Sequence, residues 1–224
     1  MKKIILCIFL AVAGFSTYAC MGQAAKPTQQ PQQPYVAKDY SYLLGMEGIS
    51  DKTLQIHFTL YHDLVKNTNQ YLTLLNNYAK EGKAKTMQYD DLKRQFAFWF
   101  DGMRLHELYF SNLGKNKTSL DVKSPLYKRI EQDFGSFDAW KENFINTSLI
   151  VGDGWVILYK DPVSGKLINM WVSEHQNGHM AGGIPILVMD VWEHAYLLDY
   201  GIDTSGYIKA FLNNVNWNEV SKRF

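Results

Sequence analysis

The segment Ile184–Tyr196, which reads IPILVMDVWEHAY, constrains the fold more than any other stretch of this 224-residue chain. Its first half is a run of strand-forming apolar residues that ends at Asp190, and His194 follows four positions later. If the chain turns helical after the strand, the carboxylate and the imidazole can face one point and bind a metal ion. The same spacing also fits a strand-to-helix junction in which Asp190 caps a helix and His194 packs, so the spacing leaves both interpretations open.

The first half of the chain predicts two long helices. A Ser50-Asp51 cap precedes an apolar stripe at helical spacing that contains His57 and runs to Val65. A second, strongly aromatic helix is expected from Asp91 to Leu113, with His106 inside it, and an antiparallel hairpin is the simplest arrangement. A histidine on an apolar helix face is more often a core residue than a ligand, so neither ring identifies a site by itself.

The second half of the chain predicts a mixed structure. A short helix is expected over 133–143, followed by strands over 148–160 and 166–173 that are joined by the turn sequence DPVSG. A third strand over 184–189 precedes the DVWEHAY sequence, and helical segments follow it. The sequence therefore predicts an α+β fold: an N-terminal long-helix hairpin, then a C-terminal domain with a three-stranded antiparallel sheet and surrounding helices.

The N-terminal segment predicts export and attachment to a membrane. Residues 1–19 combine two lysines with an apolar run that is too short to span a bilayer, which needs about 20 apolar residues, so they read as a signal peptide. Small residues before Cys20 resemble a bacterial lipoprotein processing site, whereas ordinary signal cleavage would leave Cys20 incidental. We expect a protein of the bacterial cell envelope or periplasm, bound to the membrane through lipid on Cys20.

The rest of the chain divides into a spacer and two structural domains. Residues 20–38 are rich in Pro and Gln and read as a flexible tether. A helical-hairpin domain is expected over 39–118 and an α/β domain over 119–224. Cleavage after residue 19 would leave 21 basic and 22 acidic residues, with Cys20 as the single cysteine. Such a chain forms no internal disulfide, and its near-neutral charge argues against nucleic-acid binding.

Several motifs together resemble one enzyme family. The DVWEHAY segment is similar to the signature of the iron/manganese superoxide dismutases, and the segments DFGSF and GDGWVIL are also similar to that family. The resemblance extends over about residues 39–224. It implies a superoxide dismutase, which converts superoxide to oxygen and hydrogen peroxide at one bound iron or manganese ion.

The resemblance also implies the metal ligands, which are His57, His106, Asp190 and His194. Val188 stands where iron types carry a residue larger than glycine, which favours iron, although Gly102 is more typical of manganese types. Because Gly102 has no side chain, the residue that hydrogen-bonds the metal-bound solvent must come from elsewhere.

Other site residues follow from the same resemblance. His175 is the favoured donor to the bound solvent, with Gln176 as the substitute, and His179 is expected at the surface. Tyr61 and His62 occupy the place of a His-His pair, and the pocket would be lined by His62, Trp155 and Trp192. Glu193 would reach the metal-ligand histidine of a second subunit, which implies a homodimer.

Three departures from the family bear on catalysis. Val65 stands where the family has a gate tyrosine, and Leu60 and the segment Gly201-Ile202-Asp203 replace basic residues. Superoxide is an anion, so a funnel with fewer basic groups should steer it less. The departures keep two alternatives open: a non-enzymatic metal-binding homologue on the same scaffold, or a different metalloenzyme using this site.

Overall fold

The computed structural model describes residues 34–116 and 118–224. The predicted signal peptide, Cys20 and most of the predicted tether lie outside the described residues. Two long helices, α1 (Asp51–Lys80) and α2 (Met87–Asn112), form the predicted hairpin. Ser50 and Thr86 cap them, each accepting a hydrogen bond at its side-chain oxygen from the backbone three residues later. No helix of the described residues is long and apolar enough to cross a membrane.

The hairpin buries one face of each helix against the other helix and against the sheet. Both buried faces repeat at helical spacing, as in His57, Tyr61 and Leu64 of α1 and His106 and Tyr109 of α2. The two predicted histidines therefore lie on the inner faces of adjacent helices. Their rings are T-shaped, with centroids 5.0 Å apart.

A three-stranded antiparallel sheet follows the hairpin in sequence. It contains β1 (Gly154–Lys160), β2 (Leu167–Ser173) and β3 (Ile184–Asp190), in the spatial order β2-β1-β3. The central strand β1 is buried on both faces, as its continuous apolar run from Trp155 to Leu158 requires. In the register of β1 against β3, Trp155 lies opposite Asp190. The predicted α+β fold is confirmed.

The described residues also form five shorter α-helices: α3 (Pro125–Phe134), α4 (Phe137–Ser148), α5 (Leu197–Tyr200), α6 (Thr204–Asn213) and α7 (Trp217–Ser221). The single helix predicted over 133–143 is instead divided between α3 and α4. Gly135 adopts a φ of 89°, which ends α3, and the Ser136 side chain caps α4. Because α4 continues to Ser148, the first strand begins at Gly154 and not at residue 148.

The first described residues pack on the hairpin. The Tyr35 backbone and the Asn69 side chain exchange two hydrogen bonds, and Lys38 N–H donates to the Tyr61 hydroxyl at 3.0 Å. The Lys38 ammonium also lies 3.0 Å from the Glu107 carboxylate. Residues 34–38 fall within the predicted flexible tether, but hydrogen bonds and an ion pair connect this segment to both long helices.

Candidate metal centre

Four predicted side chains converge between the hairpin and the sheet. The ligating atoms of His57, His106, Asp190 and His194 all lie within 4.8 Å of one another. The Asp190 Oδ2 atom is 3.2 Å from Nε2 of His57, 3.2 Å from Nε2 of His194 and 3.5 Å from Nε2 of His106. One carboxylate oxygen thus faces three imidazole nitrogens that come from separate parts of the chain.

The end of β3 fixes the carboxylate in this orientation. Trp192 N–H donates to Oδ1 of Asp190 at 2.8 Å, which leaves Oδ2 directed at the three imidazoles. The Tyr207 hydroxyl donates to the Asp190 backbone carbonyl at 2.7 Å, and Asp190 is fully buried. After Asp190 the chain enters a 3-10 turn over Glu193–Ala195, which brings His194 back over the carboxylate. The helical segments expected after this strand therefore begin with the 3-10 turn and continue after Tyr196 as α5.

The His106 ring provides the clearest test of whether a metal fits. Its Nδ1 lies 2.7 Å from the Gly102 carbonyl, and since a carbonyl only accepts, Nδ1 carries the proton. In the neutral ring, Nε2 then carries a lone pair, and this buried atom has no hydrogen-bond partner among the described residues. Burial lowers the pKa of His106 well below its ordinary value, so a proton does not satisfy this atom. A cation between the lone pair and the Asp190 carboxylate would satisfy both groups.

The electrostatics of the other ligands agree with a metal site. Burial lowers the pKa of His57, although its hydrogen bond with Asp190 opposes that shift. Burial by itself would raise the pKa of Asp190, but the neighbouring His194 and His57 hold it well below its usual range. The site therefore offers neutral imidazoles at His57 and His106 and one ionised carboxylate at Asp190. Nitrogen and oxygen donors without thiolate suit a redox metal such as iron or manganese better than a structural zinc ion.

A cavity of about 590 Å³ opens beside the centre and reaches His194, whose side chain is 20% exposed. Most of its lining is apolar or aromatic and includes Leu60, Leu64, Phe98, Trp99 and Trp192. Asp63 contributes a carboxylate, and none of the described residues that line the cavity is Lys or Arg. The cavity is the approach to the metal centre, and it is apolar and slightly acidic.

His175 stands between the cavity and the metal ligands. It is 3% exposed, and its ring packs on Trp192 with centroids 4.8 Å apart. Trp155 Nε1–H donates to His175 Nδ1 at 3.0 Å, so in the neutral ring Nε2 carries the proton. Burial lowers the pKa of His175 to about 4, which keeps the ring neutral at physiological pH. A pH effect from its titration would therefore fall far below neutrality.

Gly102 makes room for that ring. A Cβ atom at position 102 would lie 2.8 Å from Cδ2 of His175 and 3.1 Å from Leu64. His175 thus fills the space that a side chain on α2 would otherwise take. The Gln176 side chain points elsewhere: its Nε2 donates to Glu174 at 2.8 Å, and its Oε1 accepts from His175 N–H. Of the two predicted donors, only His175 lines the cavity.

The Tyr61-His62 pair does not line the cavity. The buried Tyr61 hydroxyl donates to Glu107 at 3.1 Å and accepts from Lys38 N–H, which turns the phenol away from the approach. His62 is exposed, and its ring contacts Tyr61. The prediction that His62 lines the pocket is therefore wrong. The Tyr61 phenol instead belongs to a hydrogen-bond network with Lys38 of the N-terminal segment and Glu107. Val65 is buried in the core.

The remaining predicted residues divide by location. Trp155 packs against His106 with ring centroids 5.0 Å apart, and Trp192 lies along His194 at 5.9 Å. Glu193, in the 3-10 turn, is exposed. The sequence reasoning missed Phe98 and Trp99 as cavity residues. Helical spacing could have indicated Trp99, since it lies seven positions before His106 and hence on the same face of α2.

Comparison with known proteins gives a consistent result. Residues 122–223 match the family model for the C-terminal domain of iron/manganese superoxide dismutases. The chain is 36% identical over 182 residues to an iron superoxide dismutase of Cupriavidus metallidurans, covering 80% of this chain and 90% of that protein. An iron superoxide dismutase of Aquifex aeolicus is 36% identical over 195 residues, covering 84% and 89%. A manganese superoxide dismutase of Haloarcula marismortui is 38% identical over 123 residues, covering 55% and 60%.

The geometry predicts that each of the four ligands is needed for metal binding. Replacing His57, His106 or His194 by Ala should lower the affinity for the metal more than about 100-fold, since even outer-shell changes cost 10–100-fold. Metal content per chain after dialysis measures the effect. His62→Ala is the matched control, because it removes an exposed histidine from the same helix as His57. Undiminished metal content in the ligand variants would contradict the assignment.

The contact between Gly102 and His175 predicts a steric effect. Gly102→Ala should lower the free energy of unfolding by about 1–3 kcal/mol, because the new Cβ overpacks the His175 ring. Denaturant unfolding measures this change. Gly114→Ala is the control, since a Cβ there would meet Asn216 at an ordinary 3.5 Å. If both variants have the same free energy of unfolding, the His175 ring moves to accommodate the new Cβ without loss of stability, which would contradict this prediction.

Proposed function

The chain belongs to the iron/manganese superoxide dismutase family, and we propose that its four-residue centre disproportionates superoxide to oxygen and hydrogen peroxide. The observation that carries this proposal is the convergence of His57, His106, Asp190 and His194, with all ligating atoms within 4.8 Å. Relatives of 36% identity that span most of the chain support the same activity. The protein is an enzyme, a superoxide dismutase of the Fe/Mn type.

The chemistry divides between the ion and the protein. One iron or manganese ion per subunit would supply one-electron exchange, by which one superoxide becomes oxygen and a second gains that electron and two protons to become hydrogen peroxide. The protein supplies three imidazoles and a single ionised carboxylate, and it buries His57, His106 and Asp190 away from water. A buried ligand set with one negative charge resists exchange of the ion and leaves the side of His194 open to the cavity.

His175 is proposed to orient groups that enter the site. The Trp155 indole holds the ring in the tautomer that carries a proton on Nε2. Because its pKa of about 4 keeps the ring neutral, this donor persists across the physiological pH range without adding a positive charge. A neutral donor beside the cavity can hydrogen-bond solvent or an oxygen species without competing with the metal for the Asp190 carboxylate.

Iron is the metal that we favour. Three relatives that are 36% identical over most of the chain are named iron superoxide dismutases, and Val188 agrees with an iron type. Gly102 and the manganese relative of Haloarcula marismortui point the other way. The structure adds that Gly102 is required by the bulk of His175, so the glycine has a packing role that does not depend on which metal is bound.

An assay of superoxide consumption tests the activity and the metal together. The apoprotein loaded separately with iron and with manganese should consume superoxide, with the iron form more active, and Asp190→Ala loaded in the same way should be inactive. A protein that binds metal at the four ligands without consuming superoxide would instead be a metal-binding homologue. Strong activity with manganese alone would contradict the preference for iron.

A homodimer is proposed from the exposed surface around Glu193. This residue shares a cavity of about 230 Å³ with the loop that follows α4. That loop exposes three consecutive apolar residues, Leu149, Ile150 and Val151, which are 44%, 48% and 98% exposed. An apolar patch beside an exposed acid one residue before a metal ligand is a suitable surface for a second copy of the chain.

Substitution of Glu193 tests the dimer. Glu193→Ala should raise the dimer dissociation constant about 30-fold or more, because truncating one partner of a buried charged hydrogen bond costs about 2–5 kcal/mol. Sedimentation velocity over a concentration series gives this constant. Glu131→Ala, which removes an exposed acid on α3, is the control. An unchanged constant for Glu193→Ala would place the interface elsewhere.

Export and lipid attachment are proposed from the N-terminal sequence. The apolar run of residues 4–15 and the Ala19-Cys20 pair support processing as a bacterial lipoprotein, with the enzyme held at the cell envelope. The spacer would hold the catalytic domain away from the bilayer. It would end at Tyr35 and Lys38, which are hydrogen-bonded to the hairpin.

The anchor predicts a change in partitioning. Protein from the native host should enter the detergent-rich phase of a detergent split, because lipid on Cys20 adds membrane affinity, and Cys20→Ser should block processing and leave a longer precursor. Immunoblotting of both phases measures this. The Cys7→Ser variant is the control, since residue 7 lies within the predicted signal peptide. Aqueous partitioning of the unaltered protein would contradict the anchor.

A further inference from the structure

The loop that carries His175 is tightly constrained. It follows β2, and Ser173 and Asn177 close its base by exchanging two backbone hydrogen bonds of 2.8 and 3.1 Å. Glu174 N–H donates to the Asp153 carbonyl at 2.8 Å. Glu174 also has a φ of 53°, the single positive φ among the described residues other than glycine. A strained residue directly before His175 persists only where neighbouring contacts hold it.

His179 supplies one of those contacts. The sequence predicts a surface position for this residue, but its side chain is only 27% exposed and both ring nitrogens are hydrogen-bonded. Nε2 lies 2.8 Å from the His175 backbone carbonyl, and Nδ1 lies 2.6 Å from the Tyr159 hydroxyl. The carbonyl can only accept, so Nε2 carries the proton, and in the neutral ring the Tyr159 hydroxyl donates to Nδ1.

Two structural elements hold His179 in place. Tyr159 lies on β1, the same strand that provides Trp155, and its pKa is raised to about 12 by burial, so it remains a donor. Asp101 lies on α2 directly before Gly102, and its carboxylate is 4.0 Å from Nε2 of His179. His179 therefore joins the His175 loop to the central strand and to the helix that makes room for the His175 ring.

We propose that His179 is a positioning residue that fixes the His175 ring through the His175 backbone carbonyl. The proposal rests on the proposed function, because His175 matters for catalysis only if the centre consumes superoxide. Without the Nε2 donor, the His175 carbonyl loses its partner and the strained Glu174 backbone can relax. The ring would then shift from Trp155, and Nε2 of His175 would lose its fixed direction beside the metal ligands.

The Trp155 indole N–H reports the position of His175 without any metal. Nitrogen-15 NMR of the apoprotein resolves the indole signals of the chain's six tryptophans, and Trp155→Phe assigns the one in question. In His179→Ala this signal should move, and its hydrogen exchange should accelerate on the order of tenfold, since a hydrogen bond is weakened. In His179→Gln, which keeps an amide donor, most of the change should be reversed.

Two further variants separate positioning from general damage to the loop. Asn177→Ala removes an exposed amide of the same loop that donates to the Glu174 carboxylate at 3.3 Å, and it leaves the partner of the His175 carbonyl in place, so the Trp155 signal should be unchanged. Tyr159→Phe keeps the hydrogen bond that Nε2 of His179 donates to the His175 carbonyl, but it removes the partner of Nδ1. The Trp155 signal should therefore move less than it does in His179→Ala. An unchanged Trp155 signal in His179→Ala would overturn the proposal, and so would equal effects of His179→Ala and Asn177→Ala.

Activity of the metal-loaded protein completes the test. His179→Ala should lower kcat several-fold in the wild-type background at unchanged metal content. In the His175→Ala background it should have little further effect, because residues that act through one another are not additive. Full additivity of the two substitutions would overturn the proposal. If the wild-type protein does not consume superoxide, the proposed function fails, while the NMR result still decides the role of His179.

Discussion

The structure depends on one buried carboxylate oxygen that three imidazoles share. Asp190 Oδ2 lies within 3.2–3.5 Å of three Nε2 atoms, and Asp190, His57 and His106 are almost completely buried. The unpartnered lone pair of His106 Nε2 beside this buried negative charge is unfavourable unless a cation is present, because little water is available to solvate either group. Metal binding is therefore coupled to the docking of hairpin and sheet, since α1, α2 and the end of β3 each contribute to the same point.

A second layer of constraints follows from packing around His175. Its ring takes the space left by Gly102, lies on Trp192 and accepts a hydrogen bond from Trp155. These contacts come from α2 and the DVWEHAY segment, which also carry His106, Asp190 and His194, and from β1, whose Trp155 packs on His106. The position of the outer donor and the position of the ligands are thus set by the same elements, so a change in one is transmitted to the other through rigid contacts.

Sequence reasoning could predict the parts of this structure that local chemistry determines. Asp190 and His194 are close in sequence, and the strand-then-turn pattern brings them together; His57 and His106 became identifiable as ligands only through their family context. The direction of Tyr61 could not be predicted, because it depends on Glu107 and on Lys38, which are distant in sequence. The contacts of His179 with Tyr159 and with the His175 carbonyl are likewise tertiary. Gly135 is apparent in the sequence, but α3 ends there because the fold gives this residue a positive φ, which the sequence does not specify.

The apolar entrance of the cavity has a consequence for which molecules reach the centre. Superoxide exchanges protons with its conjugate acid, the hydroperoxyl radical, and this radical and the product hydrogen peroxide are both uncharged. A lining of Leu60, Phe98 and Trp99 with the Asp63 carboxylate gives anions little attraction, but it admits small neutral molecules with little loss of hydration. The lining of this entrance therefore provides little electrostatic capture of the substrate anion, while the uncharged product meets no charged barrier as it leaves.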